Sequence, residues 1–563
     1  MAMRTFLLSL LLLNTSWTMA AVTVVNGDDW RLPSWSSPLD DTRFYSEEAS
    51  PADHVDVRVI DLSWRQINPR KGEFSTTTAD SAAGMQFPSL DDQRALPGKY
   101  WLRIWVSGQN WAPAWVKSDC NISKTWKDQE GQARHLPIWN SCVWKHVKDM
   151  YRQVLTGWGM AADPDMLFIQ VPGAFYYTEF DLDIPFQAAK DGLSFDAFNT
   201  WFQAAMKDLV TIANGENSDP SDDYAWKLVY TGEDYPFDDT WSGATNLLAR
   251  DAVQAGLGIR NGITELFNFH LNHTPAYGAT IAQDGHIEIN EDWPLLTDKR
   301  TIGAENECYN ACGYHAKDLY YAIRMSNLKA LQMRTKRLYV VPEDSYLSTY
   351  ATHWDWVRHS LGKQRDNSAD AWVALRTAQD KYWIDDHSHS WNGAPWVRNL
   401  ERWLVQKDVG SDGISRRGSD HHVNEIDRDN GESWEGRLTD HANGQDYLYF
   451  FIDDLFAADF QQSWQLKVTF VDQGNSAWWV EYPDSGNRII ASETVSRSNS
   501  GKVKTATIDL PHAFFDNQMA NAADFRIFNG GQEDLEVRFV RLIRKNRPAV
   551  TLLFQDGFED PVK

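Results

Sequence analysis

Between Asp56 and Tyr346, short apolar runs alternate with longer amphipathic segments, and this alternation limits the available folds more than any other feature of the chain. The strand-like runs are VDVRVIDLSW (55–64), KYWLRIWVSG (99–108), MLFIQV (166–171), WKLVYTG (226–232), ITELFNFHL (263–271), RTIGAEN (300–306) and RLYVVPED (337–344). Apolar residues at helical spacing mark 143–159, 194–215 and 315–333 between them. Repeated strand–helix units imply a parallel sheet covered on both faces. With an eighth strand in AVTVVNG (21–27) or nearby, the pattern predicts an α/β fold, a (β/α)8 barrel over residues 21–365.

Further along, the period changes. Residues 366–440 read as an irregular connector packed on the barrel, polar and rich in turn residues. Over 441–545, short apolar runs such as WQLKVTFVD (464–472), AWWVEYP (477–483) and LEVRFVRLI (535–543) are separated by Asp, Gly and Asn turns, which predicts an antiparallel β-sandwich. Residues 546–563 form an acidic tail.

The start of the chain bears on compartment. Arg4, the apolar run Phe6–Leu13 and the small residues around Met19 and Ala20 read as a signal peptide over residues 1–20, so export to the periplasm or the medium is expected. No later stretch has about eighteen consecutive apolar residues, so no membrane span is expected. The four cysteines fit an exported chain with disulfides, most simply Cys120–Cys142 and Cys308–Cys312, with the other pairings open. A net charge of −24 makes nucleic acid and anionic membranes poor partners. No cofactor and no metal centre is expected, since the cysteines lack zinc-site spacing and HSH (387–389) lacks a third ligand. The 27 tryptophans exceed what a core of this size needs, and indole faces suit the C–H faces of sugar rings.

Polar and aromatic residues gather where the predicted strands end. They include Trp64 and Arg65, Trp111, Tyr176 and Tyr177, His270 and Asn272, which are the candidate substrate-binding residues. Two carboxylates stand out among them. Glu179 lies within FYYTEF, where desolvation raises a carboxyl pKa and keeps it protonated, as a general acid requires. Glu305 follows an apolar strand inside GAENE, where small neighbours leave room for a substrate. A pair of carboxyls flanking a glycosidic bond hydrolyses it, with retention when they stand about 5 Å apart.

SWRQINPRKGEFS (63–75) resembles the W-x-x-(I/L)-x-P-x-x-G-x-(F/Y) segment of β-galactosidase-like glycoside hydrolases of the retaining (β/α)8 superfamily, and WVSGQNWAPAWV (105–116) is similar to their following strand. The resemblance implies an acid/base Glu after the fourth barrel strand and a nucleophilic Glu after the seventh, which are Glu179 and Glu305 here. Thr178 stands where that superfamily carries Asn. Glu307 and Glu343 are the alternative nucleophiles. The 441–545 region resembles galactose-binding-like carbohydrate modules, with Trp478 and Trp479 as candidate stacking residues. The expected activity is therefore hydrolysis of a β-linked polysaccharide or oligosaccharide. The alternatives are a polysaccharide lyase, using Tyr176 or Tyr177 with Arg65, and a non-catalytic glycan-binding protein.

Overall fold

The computed structural model describes residues 22–46, 56–82, 84–106, 111–127, 134–175, 183–217, 219, 221, 223–231, 242–261, 276–282, 285–297, 299–304, 319–340, 346–376, 398–418, 435–458 and 462–548. Eight parallel strands among these residues close into a barrel. In chain order they are Arg43–Tyr45, Val57–Ser63, Lys99–Trp105, Met166–Val171, Leu228–Thr231, Gly258–Asn261, Ile302–Ala304 and Arg337–Tyr339. The barrel closes where the last strand pairs with the first, Leu338 opposite Phe44 and Tyr339 opposite Tyr45.

Two of these strands correct the reading of the sequence. The first barrel strand is Arg43–Tyr45, whereas Thr23–Asn26, inside AVTVVNG, pairs antiparallel with Val503–Leu510 in a different sheet. A β-prone run needs only a partner edge, and the edge available to this one belongs to the C-terminal region. The sixth strand is Gly258–Asn261, and ITELFNFHL (263–271) lies outside the described residues. Gly258 permits a tight fit, because a Cβ there would stand 2.5 Å from the Thr301 carbonyl oxygen.

Helices connect several of the strands. Phe195–Ala213 begins at Ser194, whose side chain accepts from the Ala197 amide, and it buries Phe198, Phe202, Met206 and Leu209 along one stripe. Ser141–Arg152 is capped in the same manner by Asn140 and buries Val143, Val147 and Met150. Ser242–Ala255 and Leu319–Gln332 occupy later connections. The alternation is incomplete: between the second and third strands the described residues form only the short helices Trp64–Ile67 and Leu90–Arg94 and a hairpin, Asp80–Ala82 with Met85–Phe87.

After the barrel comes a β-rich region of two antiparallel sheets. One runs in the order Thr23–Asn26, Val503–Leu510, Trp464–Val471, Glu536–Arg544, Asp370–Ala374, Leu400–Arg402. The other runs Leu404–Lys407, Tyr447–Ile452, Phe525–Phe528, Ala477–Pro483, Ile489–Ala491. Val468, Phe470, Leu542, Phe450, Ile527 and Trp478 share one hydrophobic cluster between them. Residues 366–440, expected to be an irregular connector, supply Asp370–Ala374, Leu400–Arg402 and Leu404–Lys407 to these sheets.

The two regions are joined by a common core. Trp372, Leu400 and Phe539 belong to the same cluster as the barrel's outer residues. Trp30 packs on Trp356 with ring centres 4.7 Å apart, and Trp356 Nε1 donates to Asp370 Oδ2 at 2.9 Å. Arg541 from the neighbouring strand donates to the same oxygen at 2.8 Å, and both charged side chains are almost wholly buried.

Candidate functional site

A closed parallel barrel gathers every loop that follows a strand at one end, so that end and the lumen below it are where a site can be built. Alternate side chains along the strands point inward and form layers. The deeper layer is apolar: Tyr45, Val57, Val59, Trp101, Phe168, Val229 and Tyr339 cluster together, with Trp101 stacked on Phe168 at 5.2 Å.

Two positions further along the same strands the character changes. Asp61 follows Val59, Arg103 follows Trp101, Gln170 follows Phe168 and Thr231 follows Val229. Arg103 Nε donates to Asp61 Oδ1 at 2.6 Å and its Nη2 donates to Oδ2 at 2.9 Å, a bidentate pair between adjacent strands in register. Trp105 Nε1 donates to Asp61 Oδ1 at 2.8 Å. The guanidinium also lies 5.2 Å from the ring centre of Trp101 and 5.3 Å from that of Trp105, which fixes its position further. On the far side, Arg260 Nε donates to the Tyr45 hydroxyl at 3.0 Å. Gly303 makes room for that arginine, since a Cβ there would come within 2.8 Å of Arg260 Cβ.

Gln170 Nε2 and Thr231 Oγ1 are buried and, among the described residues, have no hydrogen-bond partner. Leaving such a group unpaired costs about 1–3 kcal/mol. Both belong to the polar layer on the strand-end side of the lumen, where a hydroxyl-bearing ligand is a suitable partner.

The strand exits bear on the residues predicted from sequence. After the second strand, Ser63 caps a short helix through a reciprocal box with Gln66. Trp64 is fully buried in the main core, so it is a packing residue and offers no face to a sugar. Arg65 is committed to Asp80, with Nε and Nη2 each 2.6 Å from a carboxylate oxygen. Burial by itself raises the Asp80 pKa, yet the hydrogen bonds from Arg65 and Ser63 hold it below the usual carboxylate range. Both placements have one cause: the SWRQ segment turns into a capped helix and folds its loop back on itself. Asn68 Nδ2 completes that loop by donating to the carbonyls of Arg70 and Glu73 at 2.8 and 2.6 Å.

Trp111 is buried beside Trp105, ring centres 4.9 Å apart, in a small cluster with Phe87 and Ala174 at the ends of the third and fourth strands. It therefore supports the rim from below and has almost no accessible surface.

The fourth strand does not turn away where Pro172 follows it. Ala174 donates to the Ile104 carbonyl at 2.7 Å and accepts from the Val106 amide at 3.1 Å, so the exit stays fastened to the third strand. Gly173 has φ +122, and a Cβ there would meet Val106 at 2.6 Å and the Ile104 oxygen at 2.9 Å, so only glycine fits. Phe175 is buried next, 5.6 Å from the His135 ring. The seventh strand ends at Ala304.

Glu179, Tyr176, Tyr177, Glu305, His270 and Asn272 lie outside the described residues, as do Glu307 and Glu343. The sequence did not single out Asp61, Gln170, Thr231 and Arg260. The available signal was the two-residue period, which puts polar residues in line with inward-facing apolar ones on successive strands.

Cys120 and Cys142 form a disulfide with Cα atoms 5.6 Å apart, as expected, while Cys308 and Cys312 lie outside the described residues. Asp119 and His146 stand close to this bridge, with His146 Nε2 2.8 Å from Asp119 Oδ2, but sulfurs bonded to each other are not thiolate ligands for a metal. Among the described residues no helix is long and apolar enough to cross a membrane.

No family model matches the chain, and no curated protein matches it. Among solved structures it is similar to a mutant of CBM29-2, a family 29 carbohydrate-binding module, with a TM-score of 0.15 and 9% sequence identity, over 28% of this chain and 99% of that one.

Proposed function

We propose that this chain is a secreted glycoside hydrolase, a (β/α)8 barrel followed by a β-sandwich, that cleaves a β-linked polysaccharide or oligosaccharide with retention of configuration. The observation that carries the reading is the closed parallel barrel together with where its strands stop. Glu305 is the next residue in sequence after Ala304, the end of the seventh strand, and Glu179 follows the fastened exit of the fourth. In this reading Glu179 protonates the leaving oxygen while Glu305 attacks the anomeric carbon, and Glu179 then deprotonates the water that releases the sugar. The polar layer supports the same chemistry: the Arg103–Asp61 pair fixes hydrogen-bonding groups in the lumen on the side where the strands end. Gln170 Nε2 and Thr231 Oγ1 are available to sugar hydroxyls. Export follows from the N-terminal segment.

Proton NMR of the first product formed from a β-linked oligosaccharide tests the mechanism. Initial appearance of the β-anomer, mutarotating later, is the expected result, and initial release of the α-anomer would rule out retention.

A further inference from the structure

The strand Ala477–Pro483 carries two adjacent tryptophans, and its two-residue period sends them to opposite faces. Trp478 is fully buried between the sheets, which removes it as a stacking residue, whereas Trp479 is half-buried on the outer face. It does not stand alone. Phe528 on the adjacent strand lies 4.7 Å from it, ring planes at 73°, and Tyr447 on the next strand stacks on Phe528 at 4.7 Å and 24°. All three rings are half-buried. An outward sheet face facing only water would carry polar residues at these positions.

Polar side chains lock the rings in place. Trp479 Nε1 donates to Glu481 Oε1 at 3.2 Å, and Arg526 Nε donates to Glu481 Oε2 at 2.8 Å. Arg526 also donates to the Tyr449 hydroxyl at 2.9 Å and lies 3.8 Å over the Tyr447 ring, while Tyr449 donates to Asp412 at 3.1 Å. The indole is thus preorganised. Beside it the chain turns through Gly530 and Gly531. A Cβ on Gly530, at φ +85, would strike the Ala477 oxygen at 2.1 Å, and one on Gly531 would press on Phe528 at 3.3 Å. Glycine at both positions lets the turn close tightly against the strand Ala477–Pro483 and Phe528.

We propose that this outer face is a glycan-binding surface, with Trp479 as the stacking ring and the Glu481–Arg526 pair as acceptor and donor for sugar hydroxyls, and that its ligand is a neutral polysaccharide. The choice of ligand follows from the charges. At the ring row itself Arg526 is already satisfied by Glu481 and lies near Asp412, so among the described residues no free cation stands beside Trp479 for a sulfate or uronate, and Lys407, exposed on the same face, lies three strands away over Phe451. Rings alternating with fixed donors and acceptors match a chain that is apolar on its C–H faces and polar at its edges. The inference deepens the reading of this protein as one that acts on glycans, but the face lies on a different region from the carboxylates.

The test is affinity electrophoresis of the full chain carrying Glu179→Gln, so that turnover does not interfere, in gels containing hydroxyethylcellulose, laminarin, xylan, galactan or alginate. The expected result is retardation by at least one neutral polysaccharide, weakened about tenfold or more by Trp479→Ala, as loss of a central aromatic contact implies. Trp479→Phe, which keeps a ring, should bind in between, and its thermal unfolding should match the parent. Equal retardation of the Trp479→Ala chain, retardation by alginate alone, or no retardation in any gel would each overturn the proposal. A wild-type chain that binds through Trp479 but hydrolyses nothing would sink the enzymatic reading and leave this inference standing.

Discussion

The barrel region and the β-rich region each bury an ionisable side chain, with opposite consequences for pH. In the barrel region, Lys329 on the helix Leu319–Gln332 is buried, its Nζ has no hydrogen-bond partner among the described residues, and burial followed by the nearby Arg376 charge pushes its pKa down to about 7. In the β-rich region, burial pushes Asp524 up to about 6, although it accepts from the amides of Ile452 at 2.7 Å and Asn517 at 3.1 Å. The difference teaches what each group is for. Asp524 holds the end of the strand Tyr447–Ile452 and the turn at Asn517 through their backbone amides. Lys329 belongs to a helix that packs against the strand Leu400–Arg402, and its amine is buried without a carboxylate to offset its charge.

The comparison can be broken most forcefully at Lys329. Its folded pKa lies below that of a free lysine side chain, so the folded state binds fewer protons between pH ~7 and ~10.5, and stability rises with pH through that window. Lys329→Met should therefore stabilise the protein at neutral pH, by as much as about 5 kcal/mol, and flatten that alkaline slope; urea unfolding at several pH values measures both. A destabilised Met variant would mean that the amine has a partner.

Next in size is the joint between the regions. Asp370→Ala leaves Arg541 buried beside Trp356 with its charge uncompensated, and should cost about 3–5 kcal/mol. If the regions unfold as one unit, near-UV and far-UV signals will shift together; a split into two transitions would show that the shared core does not couple them.

Asp524 carries the reverse slope. Its folded pKa lies above that of a free aspartate, so its contribution is fully present below pH ~4 and is lost as pH rises through ~6. Asp524→Asn removes the charge but keeps an acceptor for only one of the two amides, so relative to the parent it should fare better above pH 6 than near pH 4, by up to about 3 kcal/mol between the two conditions.

The smallest effect is a matched pair. Thr469 and Thr505 share a buried hydrogen bond at 2.9 Å, so Thr469→Val should cost about 1 kcal/mol. Thr231, in the barrel, has no partner, so Thr231→Val should be neutral or stabilising by about the same amount. A large loss at Thr231 would remove it from the set of groups waiting for a ligand.

Much of the barrel was legible because strands such as Lys99–Trp105 and Met166–Val171 are long and apolar on both faces. Arg43–Tyr45 was not, because three residues are too few for a period to show. The strands of 366–440 were hidden by their own polarity. Glu401 is buried against His286 at 2.8 Å, and Arg402 donates to the Ser360 carbonyl at 2.9 Å, so charged residues that read as loop are partnered inside. The candidate site divides in the same way. Strand position pointed to the barrel mouth, but sequence could not separate Trp479, which faces outward, from the fully buried Trp64 and Trp478, because burial depends on what packs opposite.

The most direct test of the central claim is a reducing-end assay on a panel of β-glycans with wild type, Glu179→Gln and Glu305→Gln. The account predicts turnover by wild type on at least one glycan and a loss of about a hundredfold or more in each variant. Wild type inactive on every glycan, or either variant as active as wild type, would contradict it.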